Sequence, residues 1–410
     1  MAPHPRKFTT TFVYPRFSLL VPVTIFLNFP VLGQLTALLL TAALATNCGH
    51  TTQGGRPALS RPTATTAGVI QPVVVTDTVR YDTDDPAIWI NSQDPAQSLV
   101  IGTDKASDGG LYVFDLQGKI VPGKVVRNLR RPDNVDVAYG LKLNGRLTDF
   151  ALTTERETSK LRAFRLPNMQ PLDNGNLTVF AGEPEADQLP MGIALYTRPT
   201  DGALFAIVSR KVGPKQNYLW QYQLTDDGTG HLKATLVRKF GKWSGKKEIE
   251  SVAVDNELGY VYYSDEGVGV RQYFADPARG NAELALFATT GFTEDHEGIS
   301  IYKTSPTTGY LLVSDQAANQ FHIFRREGTL NKPYDHPLLK VVRVAAHISD
   351  GSDVTSAPLN QQFQHGLFVA MSEEKNFHYY RWEDLAGKDL YVSPTVSPKG
   401  KATGLAGRRK

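Results

Sequence analysis

Cysteine is nearly absent: Cys48 is the only one in 410 residues. An internal disulfide framework and a Cys-rich metal site are therefore excluded. No excess of charge of one sign exists either, since 44 Lys and Arg stand against 41 Asp and Glu, a net charge of +3. Part of that surplus sits in the closing "GLAGRRK", so neither a nucleic-acid partner nor membrane contact by the folded part is expected. Long stretches with a helical period are missing. A Gly-x-Ser-x-Gly elbow is missing too, and His231, His296, His322, His336, His347, His365 and His378 share no common position in the repeat described below. That argues against a Ser–His–Asp hydrolase. What is plentiful is Tyr, Phe, Val and Thr, punctuated by Gly and Pro, which points to β structure. The length allows two ordinary domains or one large all-β domain.

Residues 1–48 differ from the rest. His4, Arg6, Lys7 and Arg16 precede an apolar region from Phe17 to Ala45 that ends in "LTALLLTAALATNC", the pattern of an export signal. Pro22 and Pro30 argue against a mature span. Leu44 to Cys48 resembles a bacterial lipoprotein cleavage box, although Asn47 stands where Gly, Ala or Ser is usual. Export is the expectation, to the periplasm, to an outer-membrane lipoprotein or to the medium. Residues 49–68 read as a flexible Gly/Pro/Thr-rich linker and 394–410 as a basic flexible tail.

Between 69 and 393 a unit of roughly 50 to 60 residues recurs. Its first strand appears as "DPAIWI", "NVDVAY", "MGIALY", "ESVAVD", "EGISIY" and "DVTSAP". A second strand ends in "GTDK", "TTER", "VSRK", "YSDE", "VSDQ" and "MSEE", and a third is rich in aromatics, as in "GLYVFDL" and "NFHYYRW". Six such units predict an all-β, six-bladed propeller with four-stranded antiparallel blades, its last blade completed by a strand from "VIQPVVVTDTV".

In a propeller, equivalent positions become rings of side chains. The heads of the first strands give Asp85, Asn134, Met191, Glu250, Glu297 and Asp353, with Asp84, Asp295 and Asp350 nearby. Carboxylates converging on an axis repel one another unless a cation sits among them, and an all-oxygen set suits Ca²⁺ better than Mg²⁺. The ends of the second strands divide by sign. Lys105, Arg156 and Lys211, with Arg210, are basic; Glu266, Gln316 and Glu374, with Asp265 and Asp315, are acidic or neutral. Cations facing metal ions suit a substrate rich in anionic oxygen, above all phosphate.

These motifs resemble the β-propeller phytases. "DTDDPAIW" is similar to that family's most recognisable motif, and "DNVDVAYGLKLNG", "FTEDHEGISIY", "GYLLVSDQ" and "GLFVAMSEE" follow in order over Val69 to Trp382. The resemblance implies a calcium-dependent enzyme releasing phosphate from myo-inositol hexakisphosphate. It implies Lys105, Arg156 and Lys211 on substrate phosphate, and Asp84, Asp85, Glu250, Glu266, Asp295, Glu297, Gln316 and Asp350 around several calcium ions. Two positions depart from the family: Met191 stands where a tyrosine is common, and Val212 where an acid is common.

The expected chemistry is metal-assisted phosphomonoester hydrolysis. Calcium held by Glu250, Glu266 and Glu297 would set a water or hydroxide in line with phosphorus, while Lys105, Arg156 and Lys211 stabilise the equatorial oxygens. The expected partner is phytate, taken as its calcium complex, with the chain a monomer. Another calcium-dependent propeller hydrolase, acting on a different phosphate ester or a lactone, and a non-enzymatic binding propeller are the alternatives.

Overall fold

Alternating apolar residues, β-branched or aromatic, between Gly- and Asn-bearing turns drive the chain into short twisted strands. The computed structural model describes residues 68–392, so the leader, nearly all of the linker and the tail lie outside the described residues. Six four-stranded antiparallel sheets follow one another in chain order. Their inner strands are Thr83–Trp89, Pro132–Leu143, Pro190–Thr197, Val252–Asp255, His296–Lys303 and Ser352–Thr355, which we number as blades 1 to 6. Each inner strand neighbours the next, and the sixth neighbours the first, closing a ring around a channel.

Closure is made by the expected N-terminal segment. Val74 and Val75 pair with Tyr379 and His378, so the outermost strand of blade 6 comes from the start of the domain. The only α-helix among the described residues is Trp382–Ala386, and Trp382 stacks on Tyr302 of blade 5 with 3.7 Å between ring centroids. Six apolar clusters fill the six interfaces between neighbouring blades. Phe150, Phe240 and Phe321 are fully buried there, and each such side chain contributes roughly 1.5–3 kcal/mol.

Bulges on the inner strands decide which side chains reach the mouth of the channel. Register shifts fall between Thr83 and Pro86, Pro132 and Val135, Pro190 and Ile193, and His296 and Ile299. Because side chains alternate along a strand, one extra residue sends neighbours in the sequence to different places.

Candidate active site at the channel mouth

The ladders correct the alignment of the first column. Pro86 pairs with Gly102, Val135 with Thr153, Ile193 with Val208, Val252 with Tyr263 and Ile299 with Val313. Two residues before each inner-strand partner stand Asp84, Asp133, Met191, Glu250 and Glu297. These form the structural ring, so Asp84 and Asp133 replace Asp85 and Asn134 in blades 1 and 2. In blade 6, Asp350 reaches the mouth and Asp353 does not. Asp133 was missed because "PDNV" offers two polar residues in succession, and only the bulge says which one faces the mouth.

A cleft of about 240 Å³ opens here, lined by Lys105, Arg131, Arg156, Lys211, Glu248, Glu250, Glu266, Glu297, Gln316 and Asp350. Lys105 Nζ lies 2.7 Å from Asp84 and 3.3 Å from Asp350. Burial opposes its charge, but the carboxylates of Asp84, Glu250 and Asp350 outweigh that and hold it well above the ordinary lysine value. Arg156 Nε lies 2.7 Å from Asp133, and its Nη2 rests on the sulfur of Met191. Lys211 pairs with Glu248, and Gln316 donates to Asp350. Arg131 and Glu248 are further cleft residues that no repeated column pointed to, because both precede their strands in loops.

The acids and bases combine blade by blade. Blades 1 and 2 oppose an acid with a base, as Asp84 with Lys105 and Asp133 with Arg156. Blade 4 presents two acids, Glu250 and Glu266, and blade 5 offers Glu297 with the neutral Gln316. Oxygens of Glu250, Glu266 and Glu297 lie within 4.8 Å of one another. Burial, then the neighbouring Glu250, push Glu266 up to about 8. Burial, then Glu266 and Glu250, hold Glu297 well above the usual carboxylate range. One buried oxygen on each of Asp84, Glu250 and Glu266 has no hydrogen-bond partner among the described residues. Buried carboxylates without partners are costly, and a hard divalent cation is the species that satisfies this donor set. The residues fit calcium.

Other expected ligands lie elsewhere. Asp85 and Asp353 line the central channel, a cavity of about 440 Å³ below the mouth. There they tie blades together: Val135 N donates to Asp85 at 3.1 Å and Ile88 N to Asp353 at 2.8 Å. Asp265 is fully buried and held by Ser244 and Arg271. Asp295 stays near the rim, gripped by Lys247 Nζ at 2.6 Å from both oxygens. Arg210 is not brought to the cleft. It is fully buried, bonded to Glu183 and to the carbonyls of Asp187, Asn217 and Tyr218. The ladder explains this: Arg210 takes the second-strand position of Asp104, Glu155 and Asp265, which serves the turn beneath. His296 is buried against Phe292, with Nε2 donating to the carbonyl of Ala288, and takes no part in the cleft lining.

A six-bladed propeller whose mouth sets an acidic, metal-suited half against a basic half defines an enzyme class that handles anionic oxygen. The phytase family model matches residues 31–389, and the chain belongs to that family. It is 29% identical to the 3-phytase of Bacillus subtilis strain 168, over 74% of this chain and 80% of the relative. Among solved structures, Kuenenia stuttgartiensis hydrazine synthase gives a TM-score of 0.40 at 13% identity, covering 72% of this chain and 82% of that one. That likeness is too slight to argue from.

Proposed function

We propose that this phytase releases inorganic phosphate from myo-inositol hexakisphosphate in a calcium-dependent reaction. The observation that carries the reading is the opposition of Lys105, Arg156 and Lys211 to the Glu250–Glu266–Glu297 cluster across a single cleft. At about 240 Å³ the cleft is smaller than the roughly 300–1,000 Å³ typical of sites that engulf a ligand. It takes one phosphate group and leaves the rest of a large polyphosphate at the rim.

Glu250, Glu266 and Glu297, with Asp84 and Asp350 at the border, would hold the metal. Bound calcium supplies positive charge to phosphate oxygens and acidifies water for attack on phosphorus. Lys105, Arg156 and Lys211 bind and orient the reacting phosphate and stabilise charge on its equatorial oxygens. Asp84 and Asp350 position Lys105, and Glu248 positions Lys211. The substrate is a small molecule taken as its calcium complex by a monomer, and export of the chain is inferred from residues 1–48. The mass of the mature N-terminus in a native host tests the last point.

Purified protein with Ca²⁺ is expected to liberate phosphate from phytate and to lose that activity on chelation. The Lys105→Ala/Arg156→Ala/Lys211→Ala variant is expected to lose at least a thousandfold in kcat/KM, since hydrogen bonds to charged groups contribute about 1.5–3 kcal/mol each. Unchanged activity in that variant would remove the phosphate assignment.

A further inference from the structure

The geometry points to a guanidinium clamp, in which Asp133 is a positioning residue that presents Arg131 and Arg156 together to one phosphate group, with Arg131 an additional substrate-binding residue. The inference rests on the phosphatase reading of the cleft and adds residues to it. Asp133 is fully buried. One of its oxygens lies 2.7 Å from Arg156 Nε and the other 3.8 Å from Arg131 Nε. Neither oxygen and neither Nε has a hydrogen-bond partner in good alignment among the described residues. Charge therefore holds the three groups near one another, while their directional bonding capacity is unspent.

The backbone places Arg131 deliberately. Its φ of 57° is left-handed, a conformation that costs a non-glycine residue about 1–2 kcal/mol. Its N–H donates to the carbonyl of Ala106 at 2.9 Å, and its carbonyl accepts from Arg156 N at 3.0 Å. The residue is thus pinned between the Lys105 turn of blade 1 and the Arg156 turn of blade 2. Its side chain stays 36% exposed and lines the cleft.

On the far side of Arg156, Met191 offers only a thioether, a weak acceptor that leaves the guanidinium N–H groups available. Planar guanidinium groups bind tetrahedral oxyanions through paired N–H donors. A phosphate entering between Arg131 and Arg156 would accept from both, while the Asp133 carboxylate stays behind them as the counter-charge beside their Nε atoms. Asp133 already has Arg156 beside it, unlike Glu250, Glu266 and Glu297, so its place is with the basic half of the cleft.

The test combines phytate kinetics with calorimetric binding of inorganic phosphate to the full chain. Arg131→Met is expected to raise KM for phytate and weaken phosphate binding, each about tenfold or more, with a smaller fall in kcat. Asp133→Asn is expected to do the same, and the double variant to be no worse than the more impaired single one, because both act through one clamp. Arg131→Met changes a partly exposed side chain and serves if Asp133→Asn does not fold. Phosphate affinity and KM within twofold of wild type in Arg131→Met overturn the clamp. So does an Asp133→Asn protein that needs more calcium at unchanged KM, since the acid is then a metal ligand. A wild-type chain inactive on phytate sinks the function proposed above, while the calorimetry still decides the clamp.

Discussion

The acidic half of the cleft predicts a pH dependence opposite in sign to that of a protein held by ordinary ion pairs. Burial and Glu250 push Glu266 from its usual 4.5 up to about 8. Ionising it in the folded, metal-free chain is disfavoured by an amount on the order of 5 kcal/mol at most. Below about pH 4.5 both folded and unfolded chains carry the proton, and nothing is lost. Between 4.5 and 8 the unfolded chain gives up its proton while the folded one keeps it, so the metal-free fold loses stability as pH rises. Under the proposed calcium dependence, the ion would reverse this by binding the ionised form with release of protons. At a hundredfold excess over its dissociation constant it adds about 2.7 kcal/mol, several degrees in Tm for a domain of this size. Calorimetric melting with and without chelator from pH 5 to 8.5 should show a gap that is small at pH 5 and widens toward pH 8. Glu266→Gln should raise the metal-free Tm at pH 8 and shrink the gap. A chelator effect that is flat across this range, or that Glu266→Gln leaves intact, refutes the reasoning.

Two further predictions concern the scaffold. Arg326 is fully buried, bidentate on Asp255 at 2.5 and 2.6 Å, and bonded to the carbonyls of Ser305, Pro306 and Thr308. Arg326→Met strands that carboxylate and should cost about 3–5 kcal/mol, read as a lower urea midpoint with kcat unchanged at temperatures where the variant is folded. Deleting residues up to Thr76 removes the strand paired to Tyr379 and His378 and the hydroxyl that accepts from Phe377 N. The resulting open edge should broaden melting and promote association, measured by light scattering; a truncated chain that melts like wild type refutes the closure argument.

The propeller could be read from the sequence because each blade repeats a strand pattern that only stacked sheets satisfy, and because the closing segment "VIQPVVVTDTV" is itself strand-like. The basic side chains were legible for the same reason: Lys105, Arg156 and Lys211 end regular second strands, where spacing is constant. The acidic ring was legible only in part. Its residues follow bulges, and a bulge adds a residue without changing composition, so Asp84 was confounded with Asp85, and Asp133 with Asn134. Arg210 beside Lys211 has the same chemistry but points the opposite way, and alternation alone sends one into the core and the other to the cleft. Arg131 and Glu248 sit in loops whose path depends on neighbouring blades, which no local pattern encodes.

Pairing along each blade explains why one mouth can carry both halves of a site. Where the second strand is followed by Lys105 or Arg156, the acid beside it already faces a base, so Asp84 can reach a cation only at the border, through its one unpartnered oxygen. Where it ends in Glu266 or Gln316, the acids of blades 4 and 5 face one another with no base between them. Met191 is the boundary: it brings no charge to the ring, only a thioether against Arg156 Nη2, while Lys211 is paired with Glu248. Placing an acid there, as in Met191→Glu, would pair with Arg156, whose Nη2 meets the side chain at that position. That substitution should weaken phosphate binding at least as much as Arg156→Ala while leaving calcium-dependent melting unchanged. Calorimetry with inorganic phosphate, beside melting with and without chelator, measures both halves independently. A variant that loses both together would show that the halves are not separable, and would count against the blade-by-blade account.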